Sequence, residues 1–468
     1  MFRQIGLLLL AAMAAGAQPG KLEGTYQGTL DTGSVKLRLG LHVVRSGAGA
    51  YKSTLDSIDQ SAMGIPVQQT TVTGNKLRLE MPNMGGATYE GTLSEDGAQI
   101  TGTFTQGGPL PLVFKRVEKI EAPNRPQNPK PPFPYESEEV TYTSGAVRLA
   151  GTLTIPKGVS PFPAALLITG SGPQDRDESL MGHKPFWVIA DFLTRRGIAV
   201  LRVDDRGMGR STGNSMRSTL EDFVTDVLAG VTFLKGRREI DPKRIGVIGH
   251  SEGGVVGPAA AAKSSDIAFV VMLAGTGVDG VTLLYAQAEA ISRAGGATDA
   301  MIAENRELQT MLFDVFRSEP DEKKAAAKAW AFWEERKAAM PEEKRKLAAT
   351  GDGNMRSQIA QFNQPEMRSF MFHDPAVSLR KLKTPVLALN GSKDTQVPPE
   401  QNLPAIEAAL KAAANPDFTT KELPGLNHLF QRCKKCTPAE YGELEETFSP
   451  ETLELMADWI LRRTGRVK

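Results

Sequence analysis

The sequence predicts two folded parts, an antiparallel all-β domain followed by an α/β domain whose sheet is mostly parallel and carries a helical cap insertion. Three observations predict this. Short period-two runs separated by Gly, Asn, Asp and Pro fill residues 21–117, six prolines crowd into 121–135, and from 136 onward strand-like runs alternate with helix-like stretches. Alternating strands and helices are the pattern of a parallel sheet covered by helices. At 468 residues the chain also exceeds the roughly 100–200 residues of one ordinary domain.

The opening stretch, MFRQIGLLLLAAMAAGAQPG, has one cation at Arg3, an apolar run, and small residues at Ala15 and Ala17. It reads as an export signal over 1–17, with the mature chain starting at Gln18. A membrane span needs about 20 apolar residues, more than this run supplies, so no stable membrane anchor is expected. No cysteine lies near the cut for a lipid attachment. The expectation is an exported protein, periplasmic or secreted.

Residues 18–120 form the expected β-barrel or sandwich domain. Its runs are KLEGTYQGTL, VKLRLGLHVV, YKSTLDSI, VQQTTVTGNKLRLEM, ATYEGTLSEDGAQITGTF and LPLVFKRV, with turn signals at the roughly 8–12-residue spacing of such folds. TYQGTL at 25–30 recurs as TYEGTL at 88–93. No His, Cys or carboxylate cluster stands here, so no chemistry is assigned to it. The segment EAPNRPQNPKPPFPY (121–135) reads as an extended linker, because prolines favour polyproline geometry and cannot donate backbone hydrogen bonds.

The catalytic part is expected over 136–468. Its strand-like runs include PAALLITG (163–170), GIAVLRVD (197–204), RIGVIG (244–249), IAFVVMLAG (267–275) and TPVLALNG (384–391). About 277–382 breaks the rhythm with Ala, Glu, Lys, Arg and Met and no strand signal. That is too long for a connecting loop and reads as the cap. Its Met, Phe and Trp residues are expected mostly to pack the cap.

Charge narrows the functional classes. Lys+Arg total 55 against Asp+Glu 54, so no field gathers nucleic acid or anionic lipid. The two cysteines, Cys433 and Cys436, lack further ligands at zinc spacing. A local disulfide is the expectation in an oxidising compartment, and no metal site is expected.

The strongest local signal is RIGVIGHSEGGVVGPAAAAK, where an apolar strand runs into Gly249-His250-Ser251-Glu252-Gly253 and then an Ala-rich helix. A G-x-S-x-G in that context is a nucleophile elbow, a sharp turn that exposes the serine at the sheet's carboxyl edge. Serine needs a base and the base needs an orienting carboxylate. Of five histidines, His428 in GLNHLF stands on a loop before the terminal helix, while the side chain of His250 should point away from the serine. Asp394 follows the strand TPVLALNG, between Ser251 and His428 in the Ser, Asp, His order of this architecture. The oxyanion donors are expected to be the backbone N–H groups of Glu252 and of Ser171 in Gly170-Ser171-Gly172-Pro173. The charges at 175–177 and 204–206 are read as loop-fixing ion pairs.

Together, LITGSGPQDRD (167–177), VDDRGMGRSTG (203–213), GHSEGG (249–254), NGSKDTQVP (390–398) and GLNHLF (425–430) resemble the motif set of the α/β-hydrolase superfamily. More narrowly they resemble exported bacterial carboxylesterases of the EstD type, with a serine-aminopeptidase-like hydrolase domain. The likeness covers about 140–468 through five motifs in order, and 21–117 only as a general layout. It implies the α/β-hydrolase fold, a triad of Ser251, Asp394 and His428, small-molecule esters with short acyl chains as substrates, and no cofactor. This chain has Thr169 where many relatives have His, and its CKKC is outside the pattern. Two alternatives stand beside the esterase. A serine aminopeptidase would use cap carboxylates such as Glu289, Glu304 and Glu307 to hold a free amine. An envelope-binding protein would have the β domain as its working part. Oligomeric state is open.

Overall fold

The computed structural model describes residues 22–32, 36–47, 49–60, 62–106, 108–121 and 123–465; the export-signal reading of 1–17 lies outside them. Two compact units result, Met1–Ala122 and Pro123–Lys468. Among the described residues no helix is long and apolar enough to cross a membrane.

Among the described residues the first unit has nine strands: β1 (Gly24–Asp31), β2 (Lys36–Arg45), β3 (Tyr51–Ser57), β4 (Ala62–Pro66), β5 (Gln69–Thr73), β6 (Lys76–Met81), β7 (Ala87–Leu93), β8 (Gln99–Thr105) and β9 (Pro109–Val117). They form one antiparallel sheet in the order β4-β3-β2-β1-β9-β8-β7-β6-β5. Alternation sets the faces: in β6, Leu77, Leu79 and Met81 are buried while Lys76 and Arg78 are exposed. The recurring hexapeptide places Tyr26 and Tyr89 in one core. Two details depart from the sequence reading. The run ending in KLRLEM is a hairpin, because Gly74-Asn75 makes a two-residue turn between Thr73 and its partner Lys76, with Gly74 at φ 62°. Strand β4, AMGIP, was not anticipated, since its residues do not alternate in polarity.

The second unit has β10 (Glu136–Ser144), β11 (Val147–Ile155), β12 (Phe162–Ile168), α1 (Pro185–Arg195), β13 (Ala199–Val203), α2 (Leu220–Lys235), β14 (Ile240–His250), α3 (Gly253–Ala261) and β15 (Val270–Leu273). The cap follows as α4 (Gly280–Ala294), α5 (Asp299–Ser318), α6 (Glu322–Ala338), α7 (Glu342–Thr350), α8 (Asp352–Phe362), α9 (Pro365–Met371) and α10 (Ala376–Leu379). Then come β16 (Val386–Gly391), α11 (Pro399–Ala412), β17 (Phe418–Leu423) and α12 (Pro450–Arg463). The sheet order is β10-β11-β13-β12-β14-β15-β16-β17; β11 pairs antiparallel with its neighbours and β12 to β17 run parallel. Its central strands are apolar on both faces, as in β12 and β15 where every residue is buried, because helices cover both sides. The cap has its own core, with Phe313, Phe316, Trp333 and Met355 packed together. Most of its large apolar residues are thus structural.

The proline-rich segment read as a linker belongs, from Pro123, to the second unit. Prolines cannot donate, but the side chains between them do. Arg125 donates to the carbonyls of Met181 (2.7 Å), Leu444 (2.8 Å) and Gly442 (3.0 Å). Gln127 donates to the Phe448 carbonyl at 2.7 Å and accepts from the Phe448 N–H at 3.0 Å. The segment is a strap across the loop before α12.

Candidate active site

Strand β14 ends at His250 and α3 begins at Gly253, so Ser251 sits on a two-residue corner at φ 54°. A non-glycine residue there is strained, and close packing holds it. A Cβ on Gly249 would stand 1.9 Å from the Gly253 carbonyl oxygen, and one on Gly253 2.2 Å from that of Ile168. Only glycine fits either place. The Ser251 N–H donates to Leu273 O on the adjacent strand at 2.8 Å.

Asp394 and His428 come from loops after β16 and β17. His428 Nδ1 lies 2.8 Å from Asp394 Oδ2, and both side chains are buried. The other carboxylate oxygen accepts the N–H groups of Gln396 and Val397, each at 2.8 Å. The aspartate is therefore held on one side by backbone and turned to the imidazole on the other. Ser251 and His428 face the same cavity. Among the described residues no hydrogen bond joins them, and bonds of this kind commonly tighten only when substrate binds.

The loop after β12 runs over Ser251, since a Cβ on Gly170 would stand 3.3 Å from that of Ser251. Its N–H groups divide in use. Gly170 donates to Glu178 Oε1 at 2.9 Å and Gly172 to Glu366 Oε1 at 3.3 Å. Among the described residues no protein acceptor takes the N–H of Ser171 or of Glu252. These are the two N–H groups that the sequence offers as oxyanion donors.

A family model described as the alpha/beta hydrolase family matches residues 165–433, a span that includes Ser251, Asp394 and His428. The chain belongs to the alpha/beta hydrolase family. Esterase EstD of Thermotoga maritima is 34% identical over 179 residues, which are 38% of this chain and 42% of that protein; the match thus spans less than half of that relative. Among solved structures, a hypothetical protein of Pseudomonas aeruginosa overlaps with TM-score 0.46 at 17% identity, covering 74% of this chain and 98% of that one. Est1E of Butyrivibrio proteoclasticus with ferulic acid bound overlaps with TM-score 0.40 at 18% identity, covering 70% and 99%.

In this hydrolase the cavity over Ser251 measures about 290 Å³. The cap supplies Leu283, Gln287, Phe362, Met367 and Phe370 to its wall, and the loop carrying Asp394 adds Gln396. Glu289, Glu304 and Glu307 do not line it. Glu289 pairs with Arg293 (3.0 Å) and Arg306 (3.4 Å), and Glu304 and Glu307 pair with Arg336 at 3.7 and 3.4 Å.

The charged loops of the hydrolase are tied inward. Arg176 bridges Asp204 and Glu139, each at 2.7 Å. Asp177 pairs with Arg202 and with Lys184, and Arg206 reaches Asp226 at 2.6 Å and Asp222 at 3.1 Å. Thr169, a departure from the family pattern, donates to Asp205 at 2.7 Å. Burial pushes Asp205 up to about 8 against the opposing pull of Thr169 and Gln174.

Cys433 and Cys436 form a disulfide. The buried Glu440 carboxylate accepts the N–H groups of Lys434 (3.1 Å), Lys435 (2.8 Å) and Cys436 (2.7 Å) inside that loop. Tyr441 receives a hydrogen bond from Gln396 at 2.9 Å, which links the CKKC loop to the loop carrying Asp394.

Two glutamates near the elbow, Glu178 and Glu366, carry no signal in the sequence. Glu178 and His250 form a buried pair behind the serine, His250 Nδ1 lying 2.9 Å from Glu178 Oε1. Glu366, on α9, meets the elbow from above. No periodicity or spacing marks either glutamate, because each finds its partner across a long stretch of chain.

Proposed function

We propose that this hydrolase is a serine carboxylesterase that cleaves short-chain acyl esters through an acyl-enzyme at Ser251, with Asp394 and His428 completing a triad. The observation that carries the proposal is the buried 2.8 Å contact of His428 with Asp394 beside a cavity that also holds Ser251. In this mechanism Ser251 Oγ attacks the ester carbonyl while His428 Nε2 takes its proton. Asp394 accepts the Nδ1–H and stabilises the imidazolium. The oxyanion is received by the N–H groups of Ser171 and Glu252, each worth about 3 kcal/mol in the transition state. His428 then protonates the leaving alcohol, and water attacks the acyl-serine by the same relay.

The aminopeptidase alternative needs a carboxylate free to hold an α-amine. The cap glutamates that could serve are paired with arginines outside the cavity. Among the described residues, Glu178 is the only carboxylate lining the cavity, and it is engaged with His250. An uncharged ester fits this wall better. We further propose that the enzyme works in an oxidising compartment, periplasmic or outside the cell, on the strength of the Cys433–Cys436 bond.

The test compares p-nitrophenyl esters from acetate to laurate with aminoacyl p-nitroanilides, with Ser251→Ala as the blank. Ester turnover that depends on Ser251 and declines with chain length is expected. Preference for the anilides, or turnover that survives Ser251→Ala, overturns the reading.

A further inference from the structure

Two carboxyls meet where the elbow, the oxyanion loop and the cap converge. Glu252 follows the nucleophile and is buried; Glu366, from α9, is buried opposite it. Their side chains are close enough to hydrogen-bond to each other, and the Ser171 hydroxyl also acts on Glu252. Glu366 Oε1 accepts the Gly172 N–H at 3.3 Å. Among the described residues, no Lys, Arg or His forms an ion pair with either glutamate, and Glu252 Oε1 has no hydrogen-bond donor.

Two ionised carboxylates in contact, buried and without a cation, are not a stable arrangement. One proton between them removes the repulsion and supplies the missing donor. The neighbouring charges do not alter this. Asp205 and Asp226 line a small cavity of about 70 Å³ beside Glu252; neither is a cation, and burial raises the Asp205 carboxyl as well. Arg206 on the same wall is spent on Asp226 and Asp222. Arg368, on α9, turns to the carbonyls of Phe316 and Glu319, and Glu178 is held by His250.

We propose that Glu252 and Glu366 share one proton, and that this acid–carboxylate pair is the positioning device that holds the 170–173 loop and helix α9 against the nucleophile elbow. Its effect on turnover rests on the esterase reading above. The pair links both oxyanion donors, since Glu252 carries one N–H and Glu366 grips the residue next to Ser171. Burial raises the Glu252 carboxyl above its ordinary range and the Glu366 charge raises it further, so the proton stays through neutral pH and leaves on the alkaline side.

The experiment measures kcat and KM for p-nitrophenyl acetate, and Tm, across pH for the full chain, Glu366→Gln, Glu366→Ala and the Ser251→Ala blank. Wild-type kcat should fall on the alkaline side with KM nearly constant. Glu366→Gln, which keeps a hydrogen bond but cannot ionise, should retain most of kcat and lose that alkaline fall. Glu366→Ala should lose about 10-fold in kcat at every pH, since a small misplacement of catalytic groups costs up to about 100-fold. A wild-type alkaline limb unchanged in Glu366→Gln, or wild-type kcat in Glu366→Ala, overturns the proposal.

The Tm series separates this failure from failure of the esterase reading. A carboxyl whose pKa is raised in the fold contributes stability below its unfolded pKa that is lost as pH rises toward the folded value. Wild-type Tm should therefore slope downward through neutral pH, and Glu366→Gln should flatten that slope. Identical slopes refute proton sharing whether or not the enzyme cleaves esters. Turnover surviving in Ser251→Ala removes the esterase reading and leaves the slopes to judge the pair.

Discussion

His250 stands directly beneath His428: their rings are 4.7 Å apart, and His250 Nε2 donates to the His428 backbone carbonyl at 3.0 Å. The other nitrogen, Nδ1, donates to Glu178 at 2.9 Å. Both ring nitrogens thus face acceptors, which suits the imidazolium. Burial alone would lower its pKa, but the Glu178 charge and hydrogen bond outweigh that and raise it above the ordinary histidine value. His250, inside the elbow, is part of the floor on which His428 rests.

Removing the charge of Glu178 should therefore destabilise the hydrolase in a pH-dependent way. Glu178→Gln leaves His250 without its counter-ion, and breaking a buried pair costs about 3 kcal/mol. A histidine with a raised folded pKa contributes stability in full below about pH 6.5, and loses it as pH rises through the folded value. The gap between wild type and Glu178→Gln, read by urea denaturation, should be widest at acid pH and shrink on the alkaline side. A gap independent of pH would show that His250 is neutral.

Single substitutions in the proposed triad should leave the fold intact and remove turnover. Ser251→Ala and His428→Ala should each lower kcat by up to about 10⁶-fold, and Asp394→Asn by about 10⁴-fold, the range for triad members in serine proteases. Circular dichroism and Tm serve as the fold control. More than a few per cent of wild-type kcat in Ser251→Ala speaks against the acyl-enzyme.

The CKKC loop should support the acid loop. Thr395 donates to the Cys436 carbonyl at 3.4 Å, and Gln396, whose N–H holds Asp394, also reaches Tyr441. Replacing both Cys433 and Cys436 by Ser should cost about 2 kcal/mol, as the loop-closure relation gives for so short a loop. The expected signature is a lower Tm and a reduced kcat with little change in KM. Loss of stability with unchanged kcat would mean that the loop does not reach the acid.

Removal of residues 18–120 tests the role of the β domain. Each unit has its own apolar core, so the second should fold alone and hydrolyse soluble esters within about twofold of the full chain, as expected of autonomous domains. Binding of the full-length Ser251→Ala protein to envelope material, lost on the deletion, would favour the β domain as the working part.

Local patterns carried much of this molecule. The five runs PAALLITG, GIAVLRVD, RIGVIG, IAFVVMLAG and TPVLALNG correspond to β12 to β16, because apolar runs between turn residues reflect burial on both faces of a parallel sheet. Ser251 was legible because Gly249 and Gly253 sit beside it in sequence and do their work there, at the crossing of strand and helix. His428 and Asp394 were legible through chain order, and the structure brings their side chains to 2.8 Å. The strand β4 was not, because it lacks alternation, and the proline-rich strap was not, because Arg125 and Gln127 act on loops more than fifty residues away.

The sequence by itself determined the two-part layout, the elbow and the short roll of residues able to act as base and acid. Tertiary structure alone decided that Glu178 lies against His250 across 72 positions and that Glu366 grips Gly172 across 194. The reason is physical. A nucleophile's backbone strain is written in adjacent glycines, whereas the value of a buried charge depends on which distant groups share its low-dielectric surroundings, and only the folded chain brings those together.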